Sequence, residues 1–474
     1  MGSILKATLV LGSGSFVSLL AGFVSNKAYA VLVGPEGVGL LGLLQGLLGL
    51  AALTAGVGLS SGLVRFGALY ASKDDLTAIA ALQKAAWQIY LYFSGSVALM
   101  MLIFSQPIAD HMLADSPFWV VVLVVLAMLL SLAAGVQIGI INAHHRVRIL
   151  AQVTAISSVF GAVWGVVLVW FWREAAVPWL VLGMPVAQIV LSTYFVGELN
   201  LPRVPSNAAK VKEARVLLLR FGLPYTGSQL VGSAVQLAMP FLVLYQLGQE
   251  NVGYYRAAVL YSTAYIGFLL SALGQDFYPR LSALKDQPQA FQKAIDVQQK
   301  FLLLLGSPLV VLSLVLAPVA VTLLFSSEFK PTVGVLQWQL VGDLLRFVSW
   351  TLGFAVLTVL PSRTYLLTET LGGGMLLGFS LWGMQQFGLQ GLGIGWMAAY
   401  AGYLLVLTVT LSLKRIWIPS LSNVGLLLLC LGIAVLIKVI SAPLALIIAL
   451  LWVLACGFLL AKHVLQSRVK GVEL

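Results

Sequence analysis

Long apolar runs separated by short polar gaps follow one another from Ile4 to Ala461. Crossing a hydrocarbon core about 30 Å thick takes roughly 20 apolar residues in helical form, and without water only a helix satisfies its backbone N–H and C=O groups within one segment. The runs fall at 4–32, 38–64, 85–105, 118–142, 150–172, 178–197, 221–246, 253–275, 301–325, 333–360, 365–386, 391–412, 423–440 and 444–461. They predict an all-α polytopic membrane protein with about 14 transmembrane helices.

The polar gaps set the orientation. With a cytoplasmic N-terminus, all 27 Lys and Arg residues except Lys27, Arg173, Arg256, Lys330, Arg346 and Lys438 fall on the cytoplasmic side, among them Lys6, Arg203, Arg468 and Lys470. The positive-inside rule therefore places both termini in the cytoplasm. Lys6, the first run and Ala28-Tyr29-Ala30 together look like a signal peptide, but Asn26-Lys27 interrupts the site, so the run is read as the first span.

Composition narrows the function classes. Charged residues make up 9% of the 474 and hydrophobic residues 60%, against roughly 25% charged in soluble domains, so no sizeable aqueous domain is expected. The formal net charge of +11 follows from the topology and calls for no nucleic-acid partner. Cys430 and Cys456 lie inside apolar runs without metal-ligand spacing, and His111, His144, His145 and His463 are scattered, so neither a metal nor a cofactor is expected.

The gap 197–220, with Pro202, Pro205, Ser206 and a Lys/Arg cluster, divides six spans from the rest, and Asp276 to Lys300 reads as a second long linker. An internal repeat supports the division. The turn after the first span reads Gly34-Pro35-Glu36-Gly37-Val38-Gly39 and the turn after the seventh reads Gly248-Gln249-Glu250-Asn251-Val252-Gly253, giving G-x-E-x-V-G twice at a spacing of 214 residues. A duplicated unit follows, with a six-helix lobe over 1–205, a second over 206–412, and an added helix hairpin with a cytoplasmic tail over 413–474. Halves of the same orientation are related by an axis along the membrane normal and commonly enclose a central site.

The segment from Asn26 to Gly39, with its cation late in the first helix and its Gly34-Pro35-Glu36-Gly37-Val38-Gly39 turn, resembles the opening of bacterial polysaccharide flippases of the O-antigen, Wzx-like type. These belong to the multidrug/oligosaccharidyl-lipid/polysaccharide exporter superfamily, and the architecture is similar over the whole chain. The resemblance implies two lobes that open alternately to either side of the bacterial cytoplasmic (inner) membrane. It also implies a polyprenyl-diphosphate-linked oligosaccharide as substrate, with membrane lipids and a polysaccharide polymerase as partners. A helix pair after the twelfth is similar to one that lines a lipid-tail groove in the lipid II flippase. Here it either does the same or is peripheral.

Ionisable residues inside the runs carry the chemistry, because a charge near the bilayer centre costs on the order of 3 kcal/mol and so faces a cavity or a partner. They are Lys27, Arg65, Arg256, Asp343, Arg346, Glu369 and Lys438. Lys27, Arg65, Arg256 and Arg346, with Asn26 beside them, are the candidates for substrate binding, since Arg grips phosphate oxygens bidentately and Lys supplies a compact charge. Against this, Lys27, Arg65 and Arg256 are near enough to span ends to snorkel, and Lys438 reads as an interfacial anchor. Asp343 and Arg346 are three positions apart on one helix face and are expected to pair. Glu369 lies before Gly372-Gly373-Gly374, where helices approach closely or bend, and is the first candidate for coupling to a proton or sodium gradient, with Asp343 second. Gln45, Gln137, Gln188, Gln229 and Gln236 either line a sugar passage or join helices, and Pro224 and Pro240 mark kinks in the seventh span.

An enzyme of polyprenyl-diphosphate sugars would need a large external loop for its catalytic residues, and the longest here, Gln106 to Pro117, is about a dozen residues. No Walker-type signature supports ATP-driven pumping. A flippase for lipid-linked oligosaccharide is the expected function, a cation-coupled multidrug or small-solute exporter the alternative, and a non-transporting scaffold the third reading.

Overall fold

The computed structural model describes residues 2–73, 75–144, 146–198 and 207–469. The expectations placed on His145, Pro202, Arg203, Pro205, Ser206 and Lys470 lie outside the described residues, as do those on the side chains of Lys6, His463 and Arg468. Every regular element among the described residues is helical, and the chain forms two compact units, Met1–Gly253 and Tyr254–Leu474.

The first unit holds α1 (Gly2–Gly56), α2 (Leu59–Ala71), α3 (Leu76–Ile103), α4 (Ser105–Met112), α5 (Trp119–Ala143), α6 (Val147–Trp172), α7 (Leu180–Glu198) and α8 (Ala208–Leu247). The chain passes through α9 (Gln249–Ser262) into the second unit, which holds α10 (Phe268–Ala283), α11 (Pro288–Leu324), α12 (Thr332–Val359), α13 (Ser362–Phe387), α14 (Gly391–Leu413), α15 (Leu421–Val439) and α16 (Ala442–Val469). Among the described residues nine stretches are long and apolar enough to cross a membrane, or ten with the pair Ala208–Leu230 and Gly232–Leu247, which bends by 47° between the two prolines of α8. Three of the nine, Phe16–Gly56, Val147–Glu198 and Ser362–Leu413, each join two of the expected spans in whole or in part; the seventh expected span is the bent pair, and the eighth, 253–275, is not among the nine.

The polar gaps read as linkers are largely helix. α8 begins at Ala208, and only 284–287 separate α10 from α11. Lys, Gln, Glu and Ala break an apolar run without breaking a helix, because their straight or small side chains lose little freedom in it. Side-chain caps mark the true starts. Asn207 accepts from Ala209 N at 3.0 Å, and Asp75 accepts from Ala78 N at 2.9 Å and from Thr77 Oγ1 at 2.7 Å, so α3 starts well before residue 85. α8, which the repeat assigns to the second lobe, packs against α1, α2 and α3. Leu59 and Leu63 of α2, Leu82 and Ile89 of α3 and Val211 and Leu218 of α8 share one buried cluster.

Both repeat turns break their helices in the same way. Gly34 has φ 63, ψ −170 and Gly248 has φ 88, ψ 173, a region open to glycine alone. The two turns also meet. A Cβ on Gly39 would overlap the Gln249 carbonyl oxygen, and a Cβ on Gly253 would overlap the Pro35 carbonyl oxygen.

In the second unit the hairpin α15–α16 packs on α11, and α15 also on α12. Trp417 Nε1 donates to Asp296 Oδ1 at 2.9 Å and Asn423 Nδ2 to the Asp296 carbonyl at 2.9 Å, while Trp452 Nε1 donates to Ser307 Oγ at 3.0 Å beside the buried Cys456. Lys438, expected at the interface, is half-buried with its ammonium 3.2 Å from the centroid of the Trp338 ring. The Cα–Cβ bonds of a helix lean toward its N-terminus, so a lysine at the C-terminal end of α15 leans back along the helix instead of beyond it.

Candidate functional site

Three helices of the second unit build a cavity of about 310 Å³. At one end they are drawn together by Gly391, Gly393 and Gly395 of α14, where added Cβ atoms would overlap Gly383 of α13, the Val335 carbonyl of α12 and the Phe379 carbonyl of α13. Further along, aromatic side chains hold the same helices apart, and the space between them is lined by Arg346, Ser349, Trp350, Gly353, Phe354 and Leu357 of α12, Tyr365 and Glu369 of α13, and Tyr400 and Tyr403 of α14. The α12 residues recur at three and four positions, and Tyr365 and Glu369 are four apart, so each set shares one helix face.

Asp343, fully buried behind this lining, accepts from Ser262 Oγ at 3.0 Å and from Trp396 Nε1 at 3.2 Å, and lies 3.7 Å from Arg346 Nη1. A carboxylate inside a span is tolerated when such donors replace its hydration. Ser262 ends α9 immediately before the π-turn Thr263–Gly267, a local widening of the helix that recurs at functional sites. The Arg346 guanidinium lies 5.7 Å from the Trp396 ring centroid and 5.9 Å from that of Tyr400, so this cation has an anionic partner and two aromatic walls.

Glu369 is exposed to the cavity and accepts a 2.5 Å hydrogen bond from the Tyr403 hydroxyl; it makes no ion pair among the described residues. Gly372 makes this bond feasible, because a Cβ there would come within 2.7 Å of the Tyr403 ring. Of the two roles expected for Gly372-Gly373-Gly374 the structure takes close approach, since α13 runs unbroken through them.

The structure thus brings Asp343, Arg346 and Glu369 together. Arg256, half-buried on α9, is in the same unit but not in this lining. Asn26, Lys27 and Arg65 belong to the first unit. Asn26 and Lys27 are half-buried on α1, two to three residues before Tyr29, whose ring packs where a Cβ on Gly165 of α6 would overlap its hydroxyl. Arg65 is exposed, its guanidinium 5.6 Å from the Phe66 ring centroid and 5.1 Å from that of Phe221 on α8. Gln137 joins helices, accepting from Ser192 at 2.6 Å and Thr193 at 3.0 Å, whereas Gln229 lines a smaller first-unit cavity of about 150 Å³ with Tyr225 and Tyr90.

Sequence reasoning overlooked Trp350, Tyr365, Trp396, Tyr400 and Tyr403. Their signal was present, since Trp396, Tyr400 and Tyr403 recur at four and three residues on α14, but aromatic residues in an apolar run do not interrupt it.

An all-helical pair of units with ionisable groups gathered inside its spans is the build of a polytopic membrane transporter. Residues 29–334, more than half of the chain, match the polysaccharide biosynthesis protein family, and the chain belongs to that family. It is similar to the lipid III flippase of Escherichia coli (strain K12), 24% identical over 411 residues that span 85% of this chain and 96% of that protein, and to the lipid III flippase of Shigella flexneri at the same identity and coverage. Among solved structures its fold is that of the lipid II flippase MurJ in an inward closed conformation, with a TM-score of 0.75 at 12% identity over 96% of this chain and 100% of that one. It also matches an inward-facing MATE family multidrug resistance transporter of the MOP superfamily, with a TM-score of 0.62 at 17% identity over 83% of this chain and 94% of that one.

Proposed function

We propose that this protein flips a polyprenyl-diphosphate-linked oligosaccharide from the cytoplasmic to the external leaflet of the bacterial inner membrane by alternating access. The observation that carries this reading is the likeness to lipid III flippases along almost their whole length. In this reading Lys27, Arg65 and Arg256 hold the diphosphate, Asn26 and Arg346 bind other polar groups of the substrate, and a polysaccharide polymerase receives the product. Glu369 couples transport to a proton or sodium gradient, with Asp343 as the second candidate. Both termini are cytoplasmic. Purified protein in proteoliposomes should move a fluorescent polyprenyl-diphosphate oligosaccharide between leaflets. Ala at Lys27, Arg65 and Arg256 should lower that rate at normal protein abundance, and full activity of all three variants would remove them from the binding site. Glu369→Gln should abolish the response to the ion gradient while leaving binding of the polyprenyl-diphosphate part of the substrate intact.

A second reading, a cation-coupled exporter, is favoured by the acid-bearing aromatic cavity of the second unit. Proteoliposomes that move a cationic dye but no lipid-linked glycan would establish it in place of the first.

A further inference from the structure

We infer that the second-unit cavity is a binding site for an organic ammonium group, with Glu369 as its counter-ion and the rings of Trp350, Tyr400 and Tyr403 as its walls. The inference rests on the flippase reading only for one of two sources of that group, an amino sugar of the carried glycan. The other source is a free organic cation.

Charge decides what this cavity accepts. Besides tyrosines, its ionisable lining consists of Arg346 and Glu369. Arg346 is matched by Asp343 and placed beside Trp396 and Tyr400, so its charge is already answered. Glu369 has one hydrogen bond, from Tyr403, and no ion pair among the described residues, which leaves the cavity an uncompensated carboxylate. Such a group within a span calls for a cation. A diphosphate would meet repulsion there, so this chemistry is separate from that proposed for Lys27, Arg65 and Arg256.

The walls point the same way. Aromatic faces attract ammonium and guanidinium groups, most strongly where water is excluded, and the Tyr400 ring that borders the cavity already attracts Arg346. The volume, about 310 Å³, is at the lower limit of small-molecule pockets and suits one sugar ring or a choline-sized cation. An ammonium that keeps its N–H groups can donate to Glu369, and a quaternary one relies on the rings and the charge alone.

The test measures binding to the full-length protein in lipid nanodiscs by calorimetry, with glucosamine, tetramethylammonium, N-acetylglucosamine and glucuronate as probes. Glucosamine or tetramethylammonium should bind at least about tenfold more tightly than the neutral and acidic sugars, and Glu369→Gln, checked for folding by its melting temperature, should lose about tenfold for the ammonium probes. Tighter binding of glucosamine assigns the site to an amino sugar, and tighter binding of tetramethylammonium assigns it to a free organic cation. As a second measurement on the unaltered protein, the ammonium probe should slow modification of Glu369 by dicyclohexylcarbodiimide, read by peptide mass. Equal binding of all four probes, unchanged affinity in folded Glu369→Gln, or unprotected Glu369 would overturn the proposal. No lipid-linked glycan is present, so this result stands or falls independently of the flipping assay.

Discussion

The two G-x-E-x-V-G turns agree at four positions and differ at two, and the difference separates what a turn must supply from what it can vary. The first glycine of each, Gly34 or Gly248, adopts positive φ. The valines, Val38 and Val252, are 3% and 0% exposed, and the last glycines, Gly39 and Gly253, lie against the other turn's backbone. The glutamates, Glu36 and Glu250, are exposed in the first turn of a helix, where a negative charge meets the positive end of the helix dipole. The variable second position contributes a carbonyl oxygen, of Pro35 or Gln249, and its side chain is therefore free to differ. Proline suits the first helical residue, whereas Gln249 uses its amide to donate to the Glu36 carbonyl at 3.0 Å. At the fourth position Gly37 makes room for Val33, and Asn251 donates to the Leu247 carbonyl at 2.7 Å. The contact of Gly39 with residue 249 and of Gly253 with residue 35 is reciprocal, as a local two-fold relation between duplicated turns requires.

Breaking that reciprocity should have the largest effect. In Gly39→Ala and Gly253→Ala the new methyl meets a backbone oxygen that cannot rotate away, so each should lose stability at or above the upper end of the about 1–3 kcal/mol typical of overpacking. Melting temperatures in detergent check this. The two losses should be similar, and a tolerated alanine at either position would show that the turns are not equivalent.

Gly248→Ala separates conformation from contact, because an added Cβ meets nothing within 4 Å. The loss should come from the backbone alone, about 1–3 kcal/mol, and should fall below that of Gly253→Ala. A larger loss at Gly248 would mean that the helix break, and not the contact between the turns, governs this end of the unit.

These four recurring positions also show how far the sequence is readable. The repeat is visible in the sequence itself, and each match has a local physical cause, a dihedral angle, a burial or a dipole. The spans were legible for the same reason, since hydrophobicity is a property of single segments. Helix starts at Asn207 and Asp75 are hidden because polar residues beyond an apolar run look like loop, although both residues carry the capping signal. In the cavity, Asp343–Arg346 was legible from three-residue spacing on one helix, but the Tyr403–Glu369 bond joins residues on α13 and α14 and depends on Gly372 leaving room. No spacing within one span encodes it.

Gln249→Ala tests the feature that the first turn lacks. It removes the donor to the Glu36 carbonyl but leaves the residue 249 carbonyl against Gly39, so the contact between turns survives. One hydrogen bond contributes about 0.5–1.5 kcal/mol, and the loss should fall within that range. A loss as large as that of Gly253→Ala would place the weight of the contact on the side chain and contradict its assignment to the backbone.

Glu36→Gln should have the smallest effect. The substitution keeps shape and removes charge from the start of the helix that opens at Pro35, so the loss should be the dipole contribution, about 0.3–1 kcal/mol. Because Glu36 is exposed, mobile ions screen that contribution, and near 1 M salt, where the Debye length is about 3 Å, wild type and variant should melt within error of each other. A difference that persists at high salt would mean that Glu36 acts through a specific contact. The acid of the motif would then belong with its glycines, as a residue held by geometry.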